Sequence, residues 1–164
     1  MNLHMLKSLW ILLVPAGLLL WTACGKSYFF QEKKEIAHGL WAYSDTVAFR
    51  FSIADTSHTY NLYLDFEYAD TFATQNIYVQ LHTVFPNGKR LNKQRSFDFF
   101  DAQGAPRGKC SGSSCSCQIL LQENAFFDQP GQYYIGLEQF TRRDPLPGLR
   151  ALGLTIEDMG VKPK

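Results

Sequence analysis

Four cysteines carry most of the chemistry open to this chain, and three of them share one loop. That loop reads Gly104-Ala-Pro-Arg-Gly-Lys-Cys110-Ser-Gly-Ser-Ser-Cys115-Ser-Cys117. A structural zinc site needs a fourth ligand, set as another cysteine pair or as spaced histidines further on. No cysteine or histidine follows Cys117; His4, His38, His58 and His82 all lie upstream. A thiol-exchange centre needs Cys-x-x-Cys, and none occurs. The spacing fits one disulfide that staples a loop in an oxidising compartment, Cys110 with Cys115 or Cys110 with Cys117. A Cys115–Cys117 bridge is disfavoured by its tight geometry. The remaining thiol then pairs with another protein or stays buried and reduced. No metal and no other cofactor is expected.

Other catalytic groups are present in type but not in pattern. No Gly-x-Ser-x-Gly elbow occurs, and the histidines sit in no diagnostic motif. Asp65, Glu67 and Asp70 could supply a glycosidase pair, but they read as the wet face of a strand. Asp98, Asp101 and Gln103 could hold calcium, and turn chemistry explains them equally well. The glycines punctuate turns, and none leads a phosphate-binding loop into a helix. The chain is read as no enzyme. Its 16 basic and 15 acidic side chains argue against nucleic acid as a partner.

The fourth cysteine, Cys24, follows an address. Residues 1–23 read as a signal peptide: Lys7, then the uncharged run from Leu9 to Ala23, shorter than a comfortable membrane span. Thr22-Ala23-Cys24 resembles the bacterial lipoprotein cleavage site, with Trp21 where a small aliphatic residue is usual. Cys24 would then be acylated, and three acyl chains would hold the protein on a membrane. Plain secretion with a disulfide-bonded Cys24, or an uncleaved anchor, are the alternatives. Gly25 follows Cys24, and no acid appears before Glu32. The missing Asp favours the outer membrane over inner-membrane retention, and the missing acidic run favours the periplasmic leaflet.

The body reads as strands, because apolar residues recur with period two. Val47, Phe49, Phe51 and Ile53 form one set; Tyr60, Leu62, Leu64, Phe66 and Tyr68 another. Ile77, Val79 and Leu81, then Tyr133, Ile135 and Leu137, then Leu152, Leu154 and Ile156 continue it. Pro86-Asn-Gly88 predicts a hairpin turn into a strand from Arg90 to Phe99. Asp101-Ala-Gln-Gly104 and Asp128-Gln-Pro-Gly131 predict two more turns. A short helical turn fits Gln122 to Phe127. The expected architecture is all-β, an antiparallel two-sheet β-sandwich of the jelly-roll or immunoglobulin-like kind. Residues 24–35 are a lipid-anchored tether that could join as an edge strand, and residues 36–160 a single β-sandwich domain.

Aromatic residues make up 15% of the chain and come in adjacent pairs: Phe99-Phe100, Phe126-Phe127 and Tyr133-Tyr134. Neighbours on a strand point to opposite faces, so these pairs predict outward rings for a protein partner or a glycan platform.

One resemblance ties these features together. Its carriers are Trp41 with Asp45-Thr-Val-Ala-Phe-Arg-Phe51, then Thr59-Tyr-Asn-Leu-Tyr-Leu64 and Asn76-Ile-Tyr-Val79. Phe85-Pro-Asn-Gly-Lys89, Pro130-Gly-Gln-Tyr-Tyr-Ile-Gly-Leu-Glu-Gln139 and Leu149-Arg-Ala-Leu-Gly-Leu154 follow in order. The pattern resembles the family of gliding motility lipoproteins called GldH. The resemblance implies a non-enzymatic outer-membrane lipoprotein facing the periplasm. It implies an accessory or structural part of gliding motility and the associated secretion machinery. Envelope proteins are the implied partners, and Cys24 is the one functional residue carried over. The rival reading is a carbohydrate- or peptidoglycan-binding module of the envelope.

Overall fold

A computed structural model describes residues 28–162. The expected signal over 1–23, Cys24 and the first residues of the expected tether lie outside the described residues. The strands are β1 (Tyr28–Glu35), β2 (Leu40–Trp41), β3 (Val47–Ile53), β4 (His58–Ala69), β5 (Asn76–Val84) and β6 (Arg90–Asp98). They continue as β7 (Lys109–Ser111), β8 (Ser114–Phe126), β9 (Gly131–Gln139), β10 (Leu146–Pro147) and β11 (Leu149–Val161). A short 3-10 turn, Ala37–Gly39, links β1 to β2.

The fold is all-β, with three separate antiparallel sheets and none closed into a barrel. The largest runs β1-β11-β4-β8-β7, the second β3-β9-β5-β6, and β10 pairs with β2 alone. Alternation in sequence becomes alternation in burial. Phe49, Phe51 and Ile53 of β3 are buried while Arg50 and Ser52 are exposed. Tyr60, Leu62, Leu64, Phe66 and Tyr68 of β4 are buried while Tyr63, Asp65 and Glu67 are half-buried.

Aromatic rings carry the apolar face of one large sheet onto the other. Phe30 of β1 meets Phe51 of β3 with centroids 5.5 Å apart, and Phe66 of β4 meets Phe97 of β6 at 5.3 Å. Tyr133 of β9 touches three rings, those of Phe51, Phe85 and Phe127. It stacks on Phe51 at 5.8 Å, lies edge-on to Phe127 at 4.7 Å and donates its hydroxyl to the Gln129 carbonyl at 2.8 Å. Trp41 is fully buried, its indole N–H donating to the Asp45 carbonyl at 2.8 Å.

The predicted Asn-Gly hairpin joins β5 to β6. Asn87 Oδ1 accepts the Lys89 N–H, and Gly88 takes φ +81°, a conformation that costs glycine little. One expectation changes, and the edge strand that the tether could form is present. Gln122 to Phe126 continue β8 instead of forming a helical turn, because the strand is held against β4 along nearly its whole length. Residues 28–35 form a paired strand, each of the seven pairings from Tyr28↔Glu157 to Glu35↔Ala151 fixing β1 on β11.

Candidate partner surface and the cysteine hairpin

The register of β7 on β8 decides between the two pairings left open by spacing. Cys110 lies directly opposite Cys115, with Cα atoms 3.9 Å apart, and the two form a disulfide. The bridge closes so short a loop that chain entropy gives it about 2 kcal/mol. Cys117 is free and lies opposite Phe66 of β4, half-buried. Burial first, and the nearby Asp65 carboxylate second, push its thiol up to about 11. Since the thiolate is the nucleophile, this shift makes Cys117 a poorer nucleophile at neutral pH than an unperturbed cysteine. Its alkylation by iodoacetamide at pH 7.5, followed by peptide mass spectrometry, should run roughly a hundredfold slower in the folded than in the urea-unfolded chain. Equal rates would show that the thiol is not held neutral.

The outer face of the large sheet is polar and internally satisfied. Across the strands, Gln31 pairs with Thr155 and Thr155 with Tyr63, while Lys33 pairs with Gly153 and Gly153 with Asp65. Asp65 accepts from Thr155 Oγ1 at 2.6 Å and from Gln118 Nε2 at 2.7 Å. Glu67 accepts from Lys33 Nζ at 2.8 Å. A shallow groove of about 720 Å³ runs over these residues. Its floor needs Gly153, whose added Cβ would stand 3.0 Å from Asp65 Cβ and 3.3 Å from the Glu32 carbonyl oxygen. Of the three carboxylates offered for a glycosidase, Asp65 and Glu67 are therefore bound to neighbours, and Asp70 is exposed.

Neither histidine on a strand is free. His58 Nδ1 lies 2.8 Å from Asp158 Oδ1. His82 Nδ1 lies 2.9 Å from Asn92 Oδ1, and its Nε2 3.0 Å from Glu138 Oε2 in an ion pair not aligned as a hydrogen bond. The Asn92 contact chiefly, and Glu138 after it, raise the His82 pKa against an opposing burial effect. The Thr46 hydroxyl chiefly, with His82 after it, lowers that of Glu138. The stabilisation from a raised histidine is full below its unfolded value near 6.5 and is lost as pH rises through the folded value. The part from Glu138 is present above the unfolded value of 4.5 and is lost as pH falls through the folded one. His82→Gln should thus cost about 0.5 kcal/mol more at pH 5.5 than at pH 9, read as the gap between melting curves. A gap that does not narrow with pH would refute the pairing.

The six aromatic residues expected at a surface do not form one. Phe99, Phe127 and Tyr133 are buried in the core, which corrects their placement. Phe100 and Tyr134 are half-buried, Tyr134 under the Arg50 guanidinium at 5.1 Å. Phe126 alone stands out, 65% exposed, with Lys162 Nζ 4.9 Å from its ring centroid. Phe140, 59% exposed, was not singled out, since it follows β9 and belongs to no aromatic pair. The alternation rule holds for Phe126-Phe127, where one ring goes in and one out. It fails for Phe99-Phe100, where the chain leaves β6 and only an isolated bridge, Phe100 to Pro106, continues.

A different surface appears at the side of the molecule. Among the described residues β6 pairs only with β5, which leaves its far edge open. β7 covers β8 only from Ser114 to Ser116, so the rest of that edge is open too. Between the two lies an apolar cleft of about 240 Å³, with Phe51, Leu81 and Tyr133 on its floor and Leu91, Lys93, Arg95 and Phe126 at its rim. Sequence reasoning missed it because it depends on which strands lack a neighbour. Among the described residues, no group of three or more His, Cys, Asp or Glu side chains is placed to hold a metal ion.

Fold and surface together define an antiparallel all-β domain with a disulfide-closed hairpin and one open side. The chain belongs to the GldH lipoprotein family, whose sequence profile matches residues 28–156. It is 22% identical over 147 residues to a protein described as "Gliding motility lipoprotein GldH homolog" from Christiangramia forsetii, spanning 85% of this chain and 90% of that protein. A solved structure of Eiger TNF from S. frugiperda covers 85% of this chain and 97% of its own at 11% identity and a TM-score of 0.28. A structure of infectious bursal disease virus Gt strain covers 82% and 40%, at 11% identity and a TM-score of 0.19. Likenesses so slight support no inference.

Proposed function

We propose that this chain is a non-enzymatic envelope lipoprotein that serves gliding motility and the associated protein secretion machinery as an accessory or structural part. The observation that carries this is the family match over residues 28–156, which spans nearly all the described strands. The similar protein from Christiangramia forsetii bears a gliding motility lipoprotein description along most of its length. Acylation at Cys24 would place the domain on the outer membrane, facing the periplasm. The two larger sheets are read as the halves of a β-sandwich, a scaffold suited to presenting edges and loops to other proteins. Asp65, Glu67, His58 and His82 each hold a neighbouring side chain, which suits a structural part better than a hydrolase.

The test is crosslinking in intact cells followed by purification of the full, lipidated protein, with thiols blocked beforehand. Recovery of envelope proteins of motility or secretion, together with loss of spreading and of secreted protein on gene deletion, is the expected result. Recovery of glycan or peptidoglycan with no protein partner would overturn it in favour of a carbohydrate-binding module.

A further inference from the structure

We propose that the open side between β6 and β8 receives an extended, acidic segment of a partner protein, which adds to the β6 edge as a further strand. This rests on the partner-binding reading above and gives it a place and a chemistry. The backbone supplies the first argument. All nine residues of β6 pair with β5 on one side, from Asn76↔Asp98 to Val84↔Arg90. Among the described residues no strand pairs with its other side, and an edge about 30 Å long is a template for strand addition.

Register supplies the second argument. Residues directly opposite each other in an antiparallel pair share a face. Arg95 lies opposite Val79 and Lys93 opposite Leu81, both of which are buried. Lys93 and Arg95 therefore stand on the core side of the sheet, yet they are exposed, because β8 does not close over them. Among the described residues, no carboxylate lies within ion-pair distance of either. Behind them lies the apolar cleft, open at Leu91 and Phe126.

Charge selects the occupant. Inward-pointing cations on an edge strand deter indiscriminate pairing. A second copy of β6 would bring Arg90, Lys93 and Arg95 against their own kind. The residues flanking the described strands do not fit either: 25–27 and 162–164 carry Lys26, Lys162 and Lys164 and no acid. A strand that carries both acids and apolar residues at its core-facing positions, every second residue, satisfies both features. Its acids meet Lys93 and Arg95, its apolar side chains enter the cleft, and its backbone completes the β6 ladder.

The test places a photo-crosslinking amino acid at Leu91 or Gln94 of β6 in the full-length protein in its own membranes. The same group at Ser52 of β3 and Glu35 of β1, on the other two sheet edges, is the comparison. Crosslinks from β6 should map by mass spectrometry to an acid-rich segment of another protein. K93E/R95E should lower their yield at least about fivefold, while K93R/R95K should not. The reversed variant should melt within about 2 °C of the parent, since both side chains are exposed. Crosslinks to lipid, to glycan, to a second copy or to a segment without acids would overturn the proposal, as would yields indifferent to charge reversal. Protein crosslinks confined to Ser52 or Glu35 would overturn this site and leave partner binding standing. No protein crosslink from any position would overturn both.

Discussion

Replacing Cys24 by alanine is expected to remove the protein from the outer membrane while its domain stays folded. A buried methylene is worth about 0.8 kcal/mol, so a single acyl chain binds reversibly and three on one residue do not let go. No polybasic run near Cys24 would hold the chain by charge in their absence; Lys26 is the sole cation between Gly25 and Gln31. The pairing of β1 on β11 begins at Tyr28, beyond the substitution. Without the acylated cysteine the apolar run from Leu9 to Ala23 would stay attached and hold the variant elsewhere. A second version, with an ordinary cleavable signal in place of residues 1–24, should therefore appear as a soluble periplasmic protein. Fractionation reads both, and a melting temperature unchanged within about 2 °C reports the fold. Either variant still in the outer membrane would refute Cys24 as the anchor.

Tyr133→Ala is expected to cost about 3–5 kcal/mol, a large part of the stability of a domain this size. Tyr133 is buried, stacks on Phe51 and touches the edges of Phe127 and Phe85. Truncation leaves a cavity where rings from both large sheets converge, and close-packed surroundings relax into such a void only in part. Tyr133→Phe keeps the ring and removes only the bond to the Gln129 carbonyl, at a cost of about 1 kcal/mol. Denaturant titration should separate the two variants by several-fold in free energy. Equal losses would mean that the hydroxyl, not the packing, holds this junction.

Much of the fold was legible because it rests on period two. β3, β4, β5 and β9 each show apolar residues at alternate positions, and burial follows the same alternation. β8 was hidden for a physical reason. Ile119-Leu-Leu121 puts three apolar residues in a row, and Asn124, at φ 48°, interrupts the register near the end. Asn61 Oδ1 accepts the Asn124 N–H at 2.9 Å and holds that irregularity in place. Strand neighbours two residues apart do not encode such a tertiary bond. The disulfide partner of Cys110 needed the register of β7 on β8, which spacing left open. The cleft needed more still. Lys93 and Arg95 look like ordinary surface cations in sequence, and only their position opposite buried Val79 and Leu81 shows them facing an unfinished core.

The pairing of β1 on β11 also decides how the protein would bear mechanical load. From Cys24 to Tyr28 the chain spans at most about 14 Å, so an acyl anchor would lie on a short leash from the first paired residue. A pull from that anchor against the body of the domain would draw β1 lengthwise along its neighbour. The rungs between Tyr28 and Glu35 would then be sheared together, each taking a share of the force. A strand peeled from its end would instead give way one rung at a time. Tension entering through the lipid in line with β1 would meet the sheet in its strong direction.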